Sequence, residues 1–159
     1  MSKKMKKLET NKVYEGNSLD VLKTFPDESL DMCVTSPPYW GLRDYEMDDQ
    51  LGLESTPEKF INNLCDIFDE VKRVLRPHGS CWVNLGDSYV RNPSQQDQIG
   101  KTGIQSAKYQ YNFKHKKNYS STYKAKSLAQ IPSRFAIEMT DRGWILRNEI
   151  IWHKPSCMP

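Results

Sequence analysis

A short apolar run, Leu30-Asp31-Met32-Cys33-Val34, stops abruptly at Thr35-Ser36-Pro37-Pro38-Tyr39-Trp40-Gly41, and that junction limits the folds open to the chain. The run has the length and the bounding residues of a buried strand. Two consecutive prolines cannot extend its ladder, because neither carries a backbone N–H. Each proline also pushes the preceding residue away from helical angles, so the chain leaves the strand in a stiff, extended turn. At the C-terminal end of a sheet strand, such a turn holds two kinds of group in place. The Ser36 hydroxyl and the backbone carbonyls accept hydrogen bonds, and Tyr39 offers a flat apolar face. That combination suits a planar ring bearing an amino group. The plainer alternative is a Pro-Pro turn with an aromatic packed beside it.

Elements alternate on both sides of the junction. Lys12–Glu15 reads as a short strand, and Ser18–Phe25 as a helix with Ser18 at its N-cap. A loop rich in glycine and acids covers Gly41–Glu54. The next helix opens at Ser55-Thr56-Pro57-Glu58, a capping-type start with proline in the first turn. Phe60, Ile61, Leu64, Ile67, Phe68, Val71, Val74 and Leu75 recur along it at helical spacing. Arg73 and Arg76 sit near its negative end, and Pro77-His78-Gly79 closes it. Ser80–Leu85 reads as a buried strand leading into Gly86-Asp87-Ser88-Tyr89. A helix from Pro132 to Gly143 and a long strand, Trp144–Trp152, complete the order. Strands alternating with helices predict right-handed crossovers and a mainly parallel sheet, an α/β layer structure of Rossmann-like type.

Composition narrows the setting. The chain has 159 residues, 37% apolar and 27% charged, ordinary values for one soluble domain that buries about two-thirds of its unfolded surface. No apolar run approaches the roughly 18 residues of a membrane helix. The lysine-rich residues 1–11 form a basic tail without the apolar stretch of a secretory signal. Cys33, Cys65, Cys81 and Cys157 are scattered, with no Cys-x-x-Cys pair, which points to reduced thiols and no zinc site. His78, His115 and His153 do not converge at metal-ligand spacing. Charge is uneven. Residues 91–126 hold eight Lys/Arg and one acid, Asp97, so this segment carries +7 and leaves −4 of the net +3 to the rest of the chain. A mildly acidic body with one basic insert suits a localised contact with a polyanion.

Ser36-Pro37-Pro38-Tyr39-Trp40 behind an apolar strand resembles the catalytic motif of the DNA amino-methyltransferases, which methylate cytosine N4 or adenine N6. Gly16-Asn17-Ser18, Leu85-Gly86-Asp87-Ser88-Tyr89 and Ile150-Ile151-Trp152-His153-Lys154-Pro155 resemble one subgroup of its circularly permuted branch. The likeness covers roughly residues 12–90 and 127–159. It implies a class I methyltransferase sheet in residues 12–159, interrupted by the insert 91–126. It also implies that the sheet is incomplete, because in the permuted order the target-recognition region and the cofactor-side strands follow the last strand seen here. No Gly-x-Gly, the element that cradles the methionine end of the cofactor, occurs among the eight glycines.

By the same resemblance the cofactor is S-adenosyl-L-methionine and the substrate double-stranded DNA. Either a second polypeptide or sequence lost from this one is expected to supply the glycine-rich turn and the recognition region, with no membrane partner. An intracellular, cytoplasmic protein of prokaryotic or viral type follows. Ser36, Pro37, Pro38 and Tyr39 are the catalytic candidates. The Ser36 Oγ and the Pro37 carbonyl would accept from the amine, and Tyr39 would stack on the base. The serine form leans toward cytosine N4. Asn17, Ser18 and Thr35 are the cofactor-side candidates, although asparagine replaces the usual aspartate.

Trp40 reads equally as a pocket wall or a core residue, and Asp87 as a pocket residue or the satisfied acid of a tight turn. Ser36 lacks the elbow and the histidine partner of an acyl-transfer nucleophile. Lys108, Lys114, Lys116 and Lys117, interleaved with Tyr109, Tyr111 and Phe113, are the candidates for gripping the DNA backbone. The same insert also reads as a solvated loop. The competing reading of the whole chain is a truncated, catalytically silent DNA-binding remnant.

Overall fold

The computed structural model describes residues 8–45, 47, 50–90 and 123–156. Its elements run α1 (Ser18–Lys23), β1 (Leu30–Thr35), α2 (Pro57–Val74), β2 (Leu75–Val83) and α3 (Ile131–Asp141). β1 and β2 pair in parallel, with Cys33 opposite Cys81, Val34 opposite Trp82 and Thr35 opposite Val83. Together with α2 they make a strand–helix–strand unit, the smallest piece of an α/β sheet.

Helix α2 forms where its sequence says it should. The Thr56 hydroxyl accepts from Lys59 N–H at 3.2 Å, and Pro57 occupies the first turn. Phe60, Ile61, Leu64, Cys65, Phe68, Val71 and Val74 are buried along one stripe. Burial of each large side chain contributes about 1.5–3 kcal/mol. The Phe68 ring meets Phe135 of α3 edge-on, with centroids 5.1 Å apart. Cys33, Cys81, Val83 and Leu85 pack against this core from the sheet. Arg73 reaches back to the end of α1, donating to Leu22 O at 2.8 Å and Phe25 O at 3.0 Å and pairing with Asp27. Arg142 closes α3 onto α2 through Asp66 and Asp69, both at 2.7 Å.

The opposite face of the sheet is open. Met32, Val34 and Trp82 point outward, with Val34 68% exposed. Parallel sheets are ordinarily covered on both faces, so this face lacks its usual layer among the described residues.

Several boundaries differ from the sequence expectations. The N-cap of α1 is Asn17, not Ser18; its Oδ1 accepts from Leu19 N–H at 3.0 Å, and the helix ends at Lys23. β2 begins at Leu75. Pro77–Gly79, expected to close α2, lie in an irregular stretch between the Leu30–Leu75 and Met32–Ser80 pairs. Proline cannot donate to a ladder, so the strand bulges there, and Arg76 pins the bulge to Asp31 at 2.5 Å.

Lys12–Glu15 and Trp144–Trp152 are not strands, and among the described residues the sheet has two strands rather than four. Both segments carry β-forming side chains but lie unpaired; Val13 is 93% and Trp152 77% exposed. A strand exists only with a partner, and neither segment has one. The observed architecture is therefore a small α/β unit with a two-stranded parallel sheet. No helix among the described residues is long and apolar enough to cross a membrane.

Candidate active site

Both strands end at the same edge, and the chain turns outward there twice. Asn84 N–H donates to Thr35 O at 2.9 Å, which prolongs the ladder by one bond before Ser36-Pro37-Pro38 ends it. Ligands of open α/β sheets bind at such C-terminal strand ends. A cleft of about 380 Å³ opens here, lined by Tyr39, Trp40, Gly41 and Leu42 and by Asp87, Ser88 and Tyr89.

Tyr39 is half-buried in this wall. Its ring lies flush on Gly86: a Cβ on that glycine would come within 2.6 Å of Cε2 and 2.9 Å of Cδ2. Behind it, Gly52 has φ +95°, and a Cβ there would meet the Tyr39 carbonyl oxygen at 2.8 Å. Gly41 N–H donates to Gly52 O at 2.7 Å, tying the two loops together. Glu54 organises the same corner. Its carboxylate accepts from Gly52 N–H at 2.8 Å and Asn63 Nδ2 at 3.2 Å, and its carbonyl accepts from Trp40 Nε1 at 3.0 Å. Trp40 is 3% exposed and belongs to the core, and it is also among the residues lining the cleft.

Asp87 behaves as the acid of a tight turn. Its carboxylate accepts from Ser88 N–H at 2.8 Å and from Gln130 and Ile131 N–H at 3.1 Å each. The last two are free donors at the start of α3, where Gln130 provides no side-chain cap. Asp87 therefore fastens the cleft rim to α3 while still lining the cleft.

Ser36 is exposed, and its hydroxyl makes no hydrogen bond among the described residues. The turn thus faces solvent at the strand end and is not sealed in the interior. Asn17 and Ser18 are exposed but are not among the cleft walls. The Asn17 Oδ1 already accepts from Leu19 N–H as the cap of α1, with one lone pair left for a further donor. With no Gly-x-Gly in the sequence either, the residues present do not by themselves make a full site for S-adenosylmethionine. Lys108, Lys114, Lys116 and Lys117 lie outside the described residues.

The base of the insert is described, however, and adjoins the cleft. Tyr89 pairs with Leu128 in an antiparallel bridge. Around it, Val90 N–H donates to Ser127 O at 2.8 Å, Lys126 N–H to Val90 O at 2.7 Å and Ala129 N–H to Ser88 O at 2.9 Å. Tyr123 is clamped by a hydrogen bond to Glu58 and by the Arg134 guanidinium 5.0 Å over its ring.

Comparison with known proteins agrees with the motif at this edge. Residues 30–159 match the family model described as DNA methylase, that of the N6/N4 methyltransferases. The chain belongs to that family. The type II methyltransferase M.Cfr9I of Citrobacter freundii is 40% identical over 92% of this chain and 47% of its own length. M.SfiI of Streptomyces fimbriatus is 43% identical over 92% of the chain and 31% of its own length. M.SmaI of Serratia marcescens is 35% identical over 96% and 50%. The chain thus spans at most about half of these relatives. No solved structure matches it.

Within this member of the family, sequence reasoning found the turn but missed Gly52, Glu54 and Gly86 as its supports. Gly86 carried a signal, a glycine at a strand end on the same sheet edge. Glu54 carried none, because its partners come from three separate stretches of chain.

Proposed function

We propose that this chain is the catalytic part of a site-specific DNA methyltransferase. It directs a methyl group from S-adenosylmethionine to the exocyclic amine of an extruded base, cytosine N4 in preference to adenine N6. The observation that supports this most is the seating of Tyr39 on Gly86 in the wall of an open cleft, three residues after an exposed Ser36 that is not itself among the lining residues.

An exocyclic amine is a poor nucleophile because its lone pair is delocalised into the ring. Two acceptors at its N–H groups favour a pyramidal nitrogen and localise that pair. Ser36 Oγ and the Pro37 carbonyl take these roles, and the stiff Pro-Pro turn keeps them in register with Tyr39. The gain comes from orientation and fixed dipoles rather than from a covalent intermediate. A base in a duplex is out of reach, so it must leave the stack at a cost of a few kcal/mol. Stacking on Tyr39 returns about 1–3 kcal/mol of this. S-adenosylmethionine, when bound, supplies an electrophilic methyl group.

The rest of the enzyme is sequence of the kind that the relatives carry beyond the matched region, contributed by a second polypeptide or by the same one. That part brings the glycine-rich turn and the recognition region and covers Met32, Val34 and Trp82. The basic segment 91–126 holds the DNA backbone. The absence of Gly-x-Gly among the eight glycines favours one competing reading, a silent DNA-binding remnant.

The test is to combine the chain with the missing half of a relative, supply cofactor and DNA, and analyse the nucleosides by mass spectrometry. The expected product is N4-methylcytosine, lost on Tyr39→Ala. N6-methyladenine would reassign the target. Methylation indifferent to Tyr39→Ala, or none from any such mixture, would overturn the proposal.

A further inference from the structure

We propose that Tyr89 is the side chain that enters the duplex and fills the gap left by the extruded base, an inference that rests on the base-extruding function above. Tyr89 lines the cleft together with Gly41 and Leu42 and is 64% exposed. Its phenol makes no hydrogen bond among the described residues. Its backbone, in contrast, is held on both sides by the bonds of Ser88, Val90, Lys126 and Ala129 and by the bridge to Leu128. An exposed ring on a fixed backbone loses little entropy when it inserts.

The surroundings select DNA as the occupant. Leu128, also exposed, lies beside Tyr89 across the bridge, so the two form an apolar pair at the mouth of the cleft. Lys124 and Lys126 are exposed on the same stretch, placed to meet phosphates as the apolar pair meets base faces. Apolar side chains wedged between base steps are a general means of holding a distorted duplex. Tyr39 and Tyr89 then divide the work: one receives the base that leaves, the other occupies the space it vacates.

An abasic site separates these roles, because it offers a vacated stack with no base to receive. Binding of the chain to short fluorescein-labelled duplexes is measured by anisotropy at low salt, with and without a central abasic site. The wild-type chain is expected to bind the abasic duplex at least about fivefold more tightly. Tyr89→Ala should abolish that preference, Tyr89→Phe should keep it, and Tyr39→Ala should leave it intact. Should Tyr89→Ala fail to fold, Tyr89→Ser, small and polar and so unable to wedge, reads the same loss. A wild type without the preference, or a Tyr89→Ala chain that retains it, overturns the assignment. Failure of the Tyr39 function is seen elsewhere, in the methylation assay, and would leave the abasic preference unchanged.

Discussion

Tyr39 holds its angle because two glycines from separate loops let backbone approach it where any side chain would collide. Alanine at Gly86 places a methyl group inside the ring's van der Waals envelope and tilts the face on which the base would lie. Gly86→Ala is therefore expected to lower kcat/KM of the completed enzyme about 100-fold, the scale of a 1 Å displacement of reacting groups. Added to Tyr39→Ala it should cost nothing further, and the double-mutant cycle reads this directly.

A second residue-scale expectation concerns thiols. The Cys81 thiol donates to Cys33 across the sheet and lowers the Cys33 pKa to about 7, whereas burial raises Cys65 to about 12. Thiolate is the reactive form. In a Cys157→Ser background, iodoacetamide should label Cys33 first, at a rate rising through about pH 7, and leave Cys65 unmodified in peptide mass maps.

Among the elements, the boundaries that the sequence places well are those with local chemistry. Thr56 and Pro57 start α2, and its apolar stripe follows from spacing alone. The start of α3 was less legible. Its cap is supplied by Asp87, 43 residues before Gln130, and no local pattern announces a partner at that separation. Asp87→Ala removes acceptors from two helix-start amides and is expected to cost about 1–2 kcal/mol in urea unfolding. Asp87→Asn, which keeps one carbonyl oxygen, should lose less. The strands at 12–15 and 144–152 were misread for a related reason. Their side chains favour extended chain, but pairing depends on neighbours that a local window does not contain.

At the scale of the molecule, the parallel pair was legible because a buried strand, a long amphipathic helix and a second buried strand in succession leave few other topologies. The family likeness implies missing strands and hence an uncovered sheet edge; the open face, which lacks a covering layer, was not legible. Met32, Val34 and Trp82 form an exposed apolar surface beside unpaired strand edges, a combination that favours association. The chain alone should therefore form oligomers at micromolar concentration in light scattering. Val34→Lys with Trp82→Lys should return it to monomer and, if the second polypeptide covers this face, also weaken complementation. Oligomers unchanged by both substitutions would place the contact elsewhere.

The closed neck at 88–90 and 126–129 bears on how such a methylase can diversify. The two ends of the insertion meet as paired backbone beside the cleft. A hairpin of a few residues, or a segment transplanted from another family member, would splice onto the same stem. On the function proposed above, sequence variation in this insertion is expected to change DNA affinity while leaving the neighbouring cleft walls in place.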